Sequence, residues 1–253
     1  MVYENIAREI AERIPTQHSS IAFTDTLRAE YAENDYSISH YSIPPTDETT
    51  DILSAMVYSD SADQRDLRTL QDSYGAFKTH IYRQFFLLKS SGVVFTAHHG
   101  DDEPYSNSSD MLSDLANKQL TYLPTSKTDS IDETHPFMVE TDFTNDMGEM
   151  MNANDVFRCV HDAIAHSAGY GFSFSGEKGA WLTHRALLPR SAHLALWNET
   201  RGQNAWTNAG EHIRLRDGKG FYRLPQKGDR EWVPMGERPF PRQKCVLAPH
   251  WII

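Results

Sequence analysis

Three polar stretches of the chain contain side chains that could do chemistry together. They cover residues 154–166, 176–184 and 198–204, where histidines, acids, arginines and amides alternate with aromatic and aliphatic positions. Imidazole and carboxylate groups are common metal ligands and common general acids and bases. The sequence therefore predicts a polar site in this region, although it does not name the reaction.

Helical spacing sorts these side chains into three stripes. Residues three or four positions apart share one face of a helix. The stripes are Arg158/Asp162/His166, Glu177/Trp181/His184 and Glu199/Gln203. His161 is offset from the first stripe by about 100°, which predicts that it lies at the rim of the site or in the core. Three helices that each present one stripe can converge on one pocket.

A metal site is the first chemistry that fits this set. We expect the ligands of a zinc, iron or manganese ion to be His161, His166, Glu177 and His184, where the ion would activate water or polarise a phosphoryl or carbonyl oxygen. A di-iron site of the helical-bundle type fits only in part. Glu177 and Glu199 are present, but a Glu-x-x-His repeat is absent from the sequence.

Metal-free catalysis is the second chemistry that fits. His161 or His166, oriented by Asp162, would act as a general base, and Arg158 or Arg201 would bind an anion. The candidate catalytic residues of both schemes are His161, Asp162, His166, Glu177, His184 and Glu199. A purely structural network of helix-surface pairs is the alternative to both.

Composition and charge limit the classes of protein. The chain has 253 residues, 39% of them hydrophobic, and a net charge of −11. A folded domain follows, and broad nucleic-acid binding is disfavoured because an acidic surface repels phosphates. The best basic run is more simply a solvated hairpin. It comprises Arg214, Arg216, Lys219, Arg223 and Lys227.

Cysteine usage and hydropathy point to a soluble intracellular protein. Cys159 and Cys245 are the two cysteines, and neither has a CxxC partner, which excludes a cysteine-based zinc site. No segment reaches the roughly 18 apolar residues of a membrane span. The acidic N-terminus has no apolar signal-peptide core. We therefore expect no membrane partner.

The elements that must position these residues predict a mainly helical α+β fold. Apolar spacing predicts a long helix over 63–90, and further helices begin at Ser108 or Ser109, at Asn154 or Asp155, at Glu177 and near residue 190. Short strands are expected at 93–95 and 120–123, with a hairpin around residues 217–220. An amphipathic helix over 4–14 and a polar arm, with short helices near 24–32 and 50–57, precede a main domain that spans 63–253.

The polar stretches resemble an uncharacterised family of tailed-bacteriophage proteins. The shared patterns are Asn-Asp-x-Phe-Arg-x-Val-His-Asp-x-x-x-His at 154–166, Gly-Glu-x-x-Ala-Trp-x-x-His at 176–184 and Glu-Thr-Arg-Gly-Gln-Asn-x-Trp at 199–206, with further matches at 103–108 and 243–249. The resemblance covers roughly residues 72–253. The chain departs from it at Glu103, where the family has Asp, and at Lys178-Gly179, where it has Glu-Asn, which weakens any scheme that needs two adjacent acids.

The resemblance implies a phage protein made in the host cytoplasm, with the virion as an alternative location. It also joins Tyr105, Asn107 and Ser108 to the histidine helix as a far wall of the site. The expected substrate-binding residues are therefore Tyr105, Asn107, Ser108, Arg158, Arg201, Gln203 and Asn204.

The function that we predict is enzymatic. The enzyme would be a hydrolase or transferase, metal-dependent in the first scheme, that acts on a nucleotide, a modified base or a similar small polar substrate. The alternative is a virion-associated or host-interaction protein whose polar network is structural. The N-terminal arm would then contact a protein partner or a second copy of the chain.

Overall fold

The structure, a computed structural model, describes residues 46–100, 102–127 and 132–253. The predicted helices over 4–14 and 24–32 and most of the polar arm lie outside the described residues. Within them the chain is mainly helical, and its strands form two-stranded sheets. The predicted α+β class, mainly helical with small sheets or hairpins, is confirmed.

The described elements follow one another in a simple order. The helices are α1 (Glu48–Asp60), α2 (Arg68–Ser90), α3 (Ser108–Ala116), α4 (Ala153–Val160), α5 (Phe174–Ala186), α6 (His193–Trp197) and α7 (Gln203–Ala209). The strands are β1 (Val94–Ala97), β2 (Gln119–Tyr122), β3 (Glu140–Thr144), β4 (Met150–Asn152), β5 (Leu215–Arg216) and β6 (Tyr222–Arg223). Two π-helical segments also occur, at His161–Ala165 after α4 and at Asn198–Gly202 between α6 and α7.

The long helix α2 forms the centre of the core. The predicted apolar stripe is buried from Leu70 to Leu88, and α2 packs against α4 and α6. The helix starts at Arg68 rather than at 63 because a turn precedes it, in which Leu67 N–H donates to Gln64 O at 2.8 Å. Among the described residues, no helix combines the length and apolarity that a membrane crossing requires.

A β1–α3–β2 unit packs beside α2. The two strands are parallel, with Phe95 opposite Leu120, and both of these side chains are buried. Asn107, rather than the predicted Ser108 or Ser109, caps α3, because its Oδ1 accepts a hydrogen bond from Asp110 N–H at 3.0 Å. The predicted strands and the helix between them are therefore present, and the cap is one residue earlier.

Helix α1 packs into the main body of the protein. The sequence assigned this region to the arm before residue 62, but α1 lies along α7 and the ring of Tyr58 is buried in the core. Asp51 of α1 pairs with Arg201 at 2.6 Å and with Lys178 at 2.9 Å. The packed body therefore includes α1.

The C-terminal region wraps back onto the helices. Asn198 accepts a hydrogen bond from Val246 N–H at 2.8 Å and donates one to Val246 O at 3.0 Å, and Val246 is buried. The predicted hairpin is present as β5 and β6, with Asp217 Oδ1 accepting from Lys219 N–H and Phe221 N–H in its turn. The hairpin therefore matches the prediction from the sequence.

Candidate functional site

The polar stretches meet around one cavity of about 620 Å³. That volume is typical of small-molecule sites, which span about 300–1,000 Å³. The walls come from α4 and its π segment, the start of α5, the second π segment with α7, and a C-terminal segment at 235–243. The predicted site residues that line the cavity are Tyr105, Arg158, His161, Asp162, His166, Glu177, Glu199, Gln203 and Asn204.

The first wall begins with a capping box. Asn152 Oδ1 accepts from Asp155 N–H at 2.8 Å, and Asp155 Oδ2 accepts from Asn152 N–H at 3.1 Å. The cap of α4 is thus Asn152, two residues before the earlier of the two predicted caps, Asn154 and Asp155. Asp155 Oδ1 also accepts from Thr125 N–H and Oγ–H, both at 2.7 Å. This reciprocal bonding fixes where the histidine-bearing helix starts.

The π segment after α4 turns His161 into the pocket. His166 N–H donates to His161 O, one π turn away. In an α-helix five steps separate two side chains by about 140°, whereas π bonding between residues five apart brings them towards one face. Both rings line the cavity, with centroids 5.1 Å apart. His161 is therefore buried, which agrees with the core alternative of the prediction, and its ring also lines the pocket.

Three side chains that line the cavity could hold a metal ion. One ligand atom from each of His161, His166 and Glu177 lies within 4.8 Å of the other two. His166 Nε2 is 3.5 Å from Glu177 Oε1. Two histidines and a carboxylate form a ligand set that occurs in zinc and non-haem iron enzymes. This group contains three of the four predicted metal ligands.

The close approach of α5 to the preceding loop positions Glu177. A Cβ on Gly176 would lie 1.9 Å from the carbonyl oxygen of Gly171, so only glycine fits there. Ser173 caps the helix by accepting from Gly176 N–H at 3.1 Å. The first turn of α5, which bears Glu177, is thus held directly against the loop that follows the histidines.

Both histidines make hydrogen bonds within the fold through Nδ1, so that their Nε2 atoms face the pocket. His166 Nδ1 donates to the carbonyl oxygen of Tyr170 at 2.9 Å, so Nε2 faces Glu177. Burial opposes the charged form of His166, but the charge and hydrogen bond of Glu177 outweigh it and raise the pKa to about 9. His161 Nε2 is buried and has no hydrogen-bond partner among the described residues. Such an atom is what an absent ligand would leave.

His184, predicted as the fourth ligand, lies behind the pocket. Its Nδ1 is 3.2 Å from His161 Nδ1, and its Nε2 is 3.0 Å from Gln84 Oε1. Both ring nitrogens are therefore engaged, and the side chain is fully buried. Burial lowers the pKa of His184 to about 3. The prediction that His184 is a metal ligand or a catalytic group at the substrate does not match this position.

Arg201 also faces away from the pocket. It is 1% exposed, and its Nη2 lies 2.6 Å from Asp51 Oδ1. Its charge is therefore paired with the carboxylate of Asp51. Arg158 does line the cavity, where Nη1 donates to Leu123 O at 3.4 Å. Of the two predicted anion-binding residues, only Arg158 is therefore in place. Arg238 supplies a second pocket guanidinium, anchored on Asn208 Oδ1 at 2.6 Å.

The far wall that the resemblance implied is present in part. Tyr105 lines the cavity, and its hydroxyl accepts from Thr121 N–H at 2.8 Å and donates to Asp114 at 3.1 Å. Asn107 and Ser108 do not line the cavity. Asn107 caps α3, and the Ser108 hydroxyl lies beside Gly171. Their roles in the structure are local rather than directed at a substrate.

Glu199, which also lines the cavity, is held by a buried network. Tyr74 donates to Oε1, Gln243 Nε2 donates to Oε2 at 2.6 Å, and His135 Nε2 lies 3.3 Å from Oε1. Burial alone would raise the pKa of Glu199, but the facing His135 and these hydrogen bonds outweigh it and lower the pKa. Asp162 differs, because its burial raises the pKa to about 6. The pKa is thus lowered for one carboxyl group that lines the pocket and raised for another.

We expect the Glu199→Gln variant to lose stability in a pH-dependent manner. The charged carboxylate accepts hydrogen bonds that stabilise the fold, so the loss at pH 7 should be about 1–3 kcal/mol. A carboxyl whose pKa is lowered by folding stabilises the protein above its unfolded pKa of about 4.3, and this contribution is lost as the pH falls through the folded value. Denaturant unfolding at several pH values would measure it.

The control for this variant is Glu140→Gln, because Glu140 is exposed. The difference between wild type and Glu199→Gln should shrink below about pH 4, and Glu140→Gln should match wild type throughout. A penalty that persists unchanged at low pH would contradict the assignment of the stabilisation to the charged carboxylate.

Several lining residues were not predicted from the sequence. They include Asn154, Phe157, Phe172, Thr207, Asn208, Arg238, Phe240 and Gln243. The segment from 235 to 243 has no apolar periodicity to place it, and only its packing brings it here.

The sequence did mark Gln84, which contacts His184 behind the pocket, because Gln84 interrupts the apolar stripe of α2 between Ile81 and Leu88. A buried amide at an apolar position suggests a polar partner.

These features define a candidate metal-binding pocket of the small-molecule type, with a two-histidine and one-carboxylate group in its lining. No family model, curated protein or solved structure matches the chain. The resemblance to a phage family therefore stays a prediction that depends on the quoted motifs alone.

Proposed function

We propose that the protein is a metal-dependent hydrolase that acts on a small polar substrate, such as a modified base or a nucleotide, and that it is phage-encoded, as its motifs suggest. The buried Nε2 of His161 carries the proposal, because it has no partner in the described part of the chain and belongs to the three-ligand group. A divalent zinc, iron or manganese ion there would supply Lewis-acid chemistry.

The residues around the three ligands support hydrolysis. Asp162 lines the same cavity, where a carboxyl group can accept a proton from one group and return it to another. In this proposal Asp162 takes a proton from the attacking water and gives it to the leaving group as the substrate bond breaks. Arg158 lies one helical turn earlier and would bind a negatively charged group of the substrate.

The charges that line the cavity support a divalent ion and a substrate of low charge. Four carboxylates face it, from Glu103, Asp162, Glu177 and Glu199, against the guanidinium groups of Arg158 and Arg238. The imidazolium of His166 offsets part of this excess in the metal-free pocket, and a divalent cation that displaces its proton would offset the rest. The amides of Gln203 and Asn204 and the ring of Phe240 lie along the same cavity and suit a planar polar group.

A structural role for the polar network is the competing hypothesis, in a virion-associated or host-interaction protein. In a purely structural network buried polar atoms pair with one another, as those around Glu199 do. His161 Nε2 favours an external ligand instead, because it is an unpartnered buried atom that also belongs to the three-ligand group, unlike Ser54 Oγ or Trp181 Nε1. Identification of the protein as a component of purified virions, without bound metal, would support the structural hypothesis.

Metal titration of chelator-treated protein tests the proposal. We expect one zinc, manganese or ferrous ion per chain by elemental analysis and by calorimetry. The ion should raise the unfolding free energy by about 2.7 kcal/mol at a free concentration 100 times Kd, because it binds only the folded state. A panel of phosphoesters, nucleosides and base amides would then identify the bond that is hydrolysed.

The control for the titration is His98→Ala, because His98 pairs with Asp102 outside the cavity. This variant should bind metal as wild type does. Protein that takes up no transition metal, and whose stability does not respond to any of the three ions, would rule out the proposed function.

A further inference from the structure

A line of buried hydrogen-bonded side chains leads from the core helix α2 to the pocket. Gln84 Oε1 is 3.0 Å from His184 Nε2, and His184 Nδ1 is 3.2 Å from His161 Nδ1. All three side chains are buried. We propose that Gln84 is a positioning residue which, through His184, fixes the tautomer of His161 and directs the lone pair of its Nε2 into the pocket.

The direction of each hydrogen bond follows from the donors and acceptors available. The amide oxygen of Gln84 can only accept, so His184 Nε2 carries the hydrogen. A neutral imidazole has one N–H, so His184 Nδ1 is an acceptor and His161 Nδ1 must donate to it. His161 Nε2 then has no hydrogen and presents its lone pair, which is the form that binds a metal.

Aromatic packing holds the middle of the line in place. The ring of His184 is stacked on Phe157, at 11° between planes and 6.2 Å between centroids, and it contacts Phe77 edge-on at 5.9 Å. In the described ranges no ion pair involves His184. An imidazole in such a setting stays neutral, which the donor–acceptor order requires.

Packing alone does not explain Gln84. The residue is 1% exposed, on the apolar stripe of α2, and its Nε2 has no hydrogen-bond partner among the described residues. A buried donor without a partner costs stability, and leucine would fill the same space without that cost. The function of the amide oxygen at His184 accounts for a polar residue at this position.

The Nδ1 of the other candidate ligand histidine, His166, also donates a hydrogen bond within the fold. His166 Nδ1 donates to the Tyr170 carbonyl at 2.9 Å, and His161 Nδ1 donates to His184. Hydrogen bonds to the second nitrogen of a ligand histidine fix its tautomer and ring orientation, and their loss typically weakens metal binding by about 10–100-fold. Gln84 and His184 would therefore act on metal affinity without contacting the ion.

The tautomer of His161 tests the inference directly in metal-free protein. Nitrogen-15 NMR of the histidine rings distinguishes a protonated Nδ1 from a protonated Nε2. We expect His161 with a hydrogen on Nδ1 and none on Nε2. A hydrogen on Nε2 would mean that donor and acceptor are reversed in the hydrogen bonds between Gln84, His184 and His161, and it would overturn the inference. This measurement needs no metal and no variant.

The effect on the proposed metal site is tested with Gln84→Leu. We expect His161 in this variant to become a mixture of tautomers and the zinc affinity to fall by about 10–100-fold, while cooperative thermal unfolding is retained. Gln71→Leu, at an exposed position on the same helix, should match wild type in both measurements. An unchanged tautomer and an unchanged zinc affinity in Gln84→Leu would overturn the inference.

The zinc experiment depends on the proposed function, and the NMR experiment does not. If wild-type protein binds no zinc, the proposed function fails, and the tautomer of His161 still decides whether Gln84 and His184 orient the ring. If wild-type protein binds zinc and His161 has its hydrogen on Nε2, the metal proposal stands and the positioning role fails.

Discussion

Replacement of His166 with alanine is expected to abolish tight metal binding and to reduce hydrolysis of any identified substrate by about 1,000-fold. The loss of about 1,000-fold in hydrolysis follows because a bound ion contributes several kcal/mol to transition-state stabilisation, and each 1.4 kcal/mol corresponds to tenfold in rate. His166 Nε2 is 3.5 Å from Glu177 Oε1 in the lining of the cavity, so its removal deletes one of three ligands.

Glu177→Gln should produce a similar loss of metal binding, although it changes the side chain less. The amide keeps the shape of the side chain and the contact that Asn204 makes with it at 3.4 Å, but it removes the charge that a divalent ion requires. We expect metal affinity to fall by more than about 100-fold in both variants, beyond the usual effect of a residue that does not touch the metal. Calorimetry with zinc and manganese would measure these affinities.

A matched control separates the loss of a ligand from the loss of a buried imidazole. His193 is buried away from the cavity and its Nε2 donates to the Leu188 carbonyl at 3.0 Å, a bond that glutamine can also make. His193→Gln should therefore bind metal with wild-type affinity. Wild-type metal affinity in His166→Ala or in Glu177→Gln would contradict the assignment of these ligands.

Local patterns in the sequence were enough to place most of the helices and to locate the site. The stripe of α2, the strands on either side of α3 and the hairpin follow from apolar periodicity and turn residues, which act over a few neighbouring positions. Arg158, Asp162 and His166 share one face of α4 and its extension for the same reason. These features are determined by hydrogen bonds and contacts within single elements.

The parts that could not be predicted depend on tertiary packing. A π segment adds a residue to a turn, and nothing in the sequence around His161 or Arg201 marks it. In the second π segment, Asn198–Gly202, Gly202 approaches the rings of Tyr58 and Trp197 so closely that a Cβ would lie 2.8 Å and 2.9 Å from them. These segments turn His161 towards the pocket and Arg201 towards α1.

Asp51→Ala is expected to destabilise the protein by about 3–5 kcal/mol, because it leaves the buried guanidinium of Arg201 without a counter-charge. Arg201 is 1% exposed, and its bond to Asp51 Oδ1 measures 2.6 Å. Its Nη1 already lacks a hydrogen-bond partner among the described residues, so no second acceptor compensates. Equilibrium denaturation in urea would measure the loss.

Two other variants would test whether burial, rather than the number of charges, determines the size of this effect. Lys178 pairs with the same carboxylate but keeps more contact with solvent, at 17% side-chain exposure. We expect Lys178→Met to cost much less than Asp51→Ala. The ion pair between Arg68 and Asp72 is exposed, and Asp72→Ala should cost only about 0.3–0.5 kcal/mol, as for other helical pairs of this spacing.

The double variant Asp51→Leu with Arg201→Met distinguishes an unpaired charge from damaged packing. Replacement of a buried ion pair by apolar residues of similar volume is often close to neutral, since neither charge then has to be desolvated. We therefore expect the double variant to recover most of the stability that Asp51→Ala loses. If it were as unstable as the single variant, α1 would be held by the shape of these side chains, and the charge argument for Arg201 would fail.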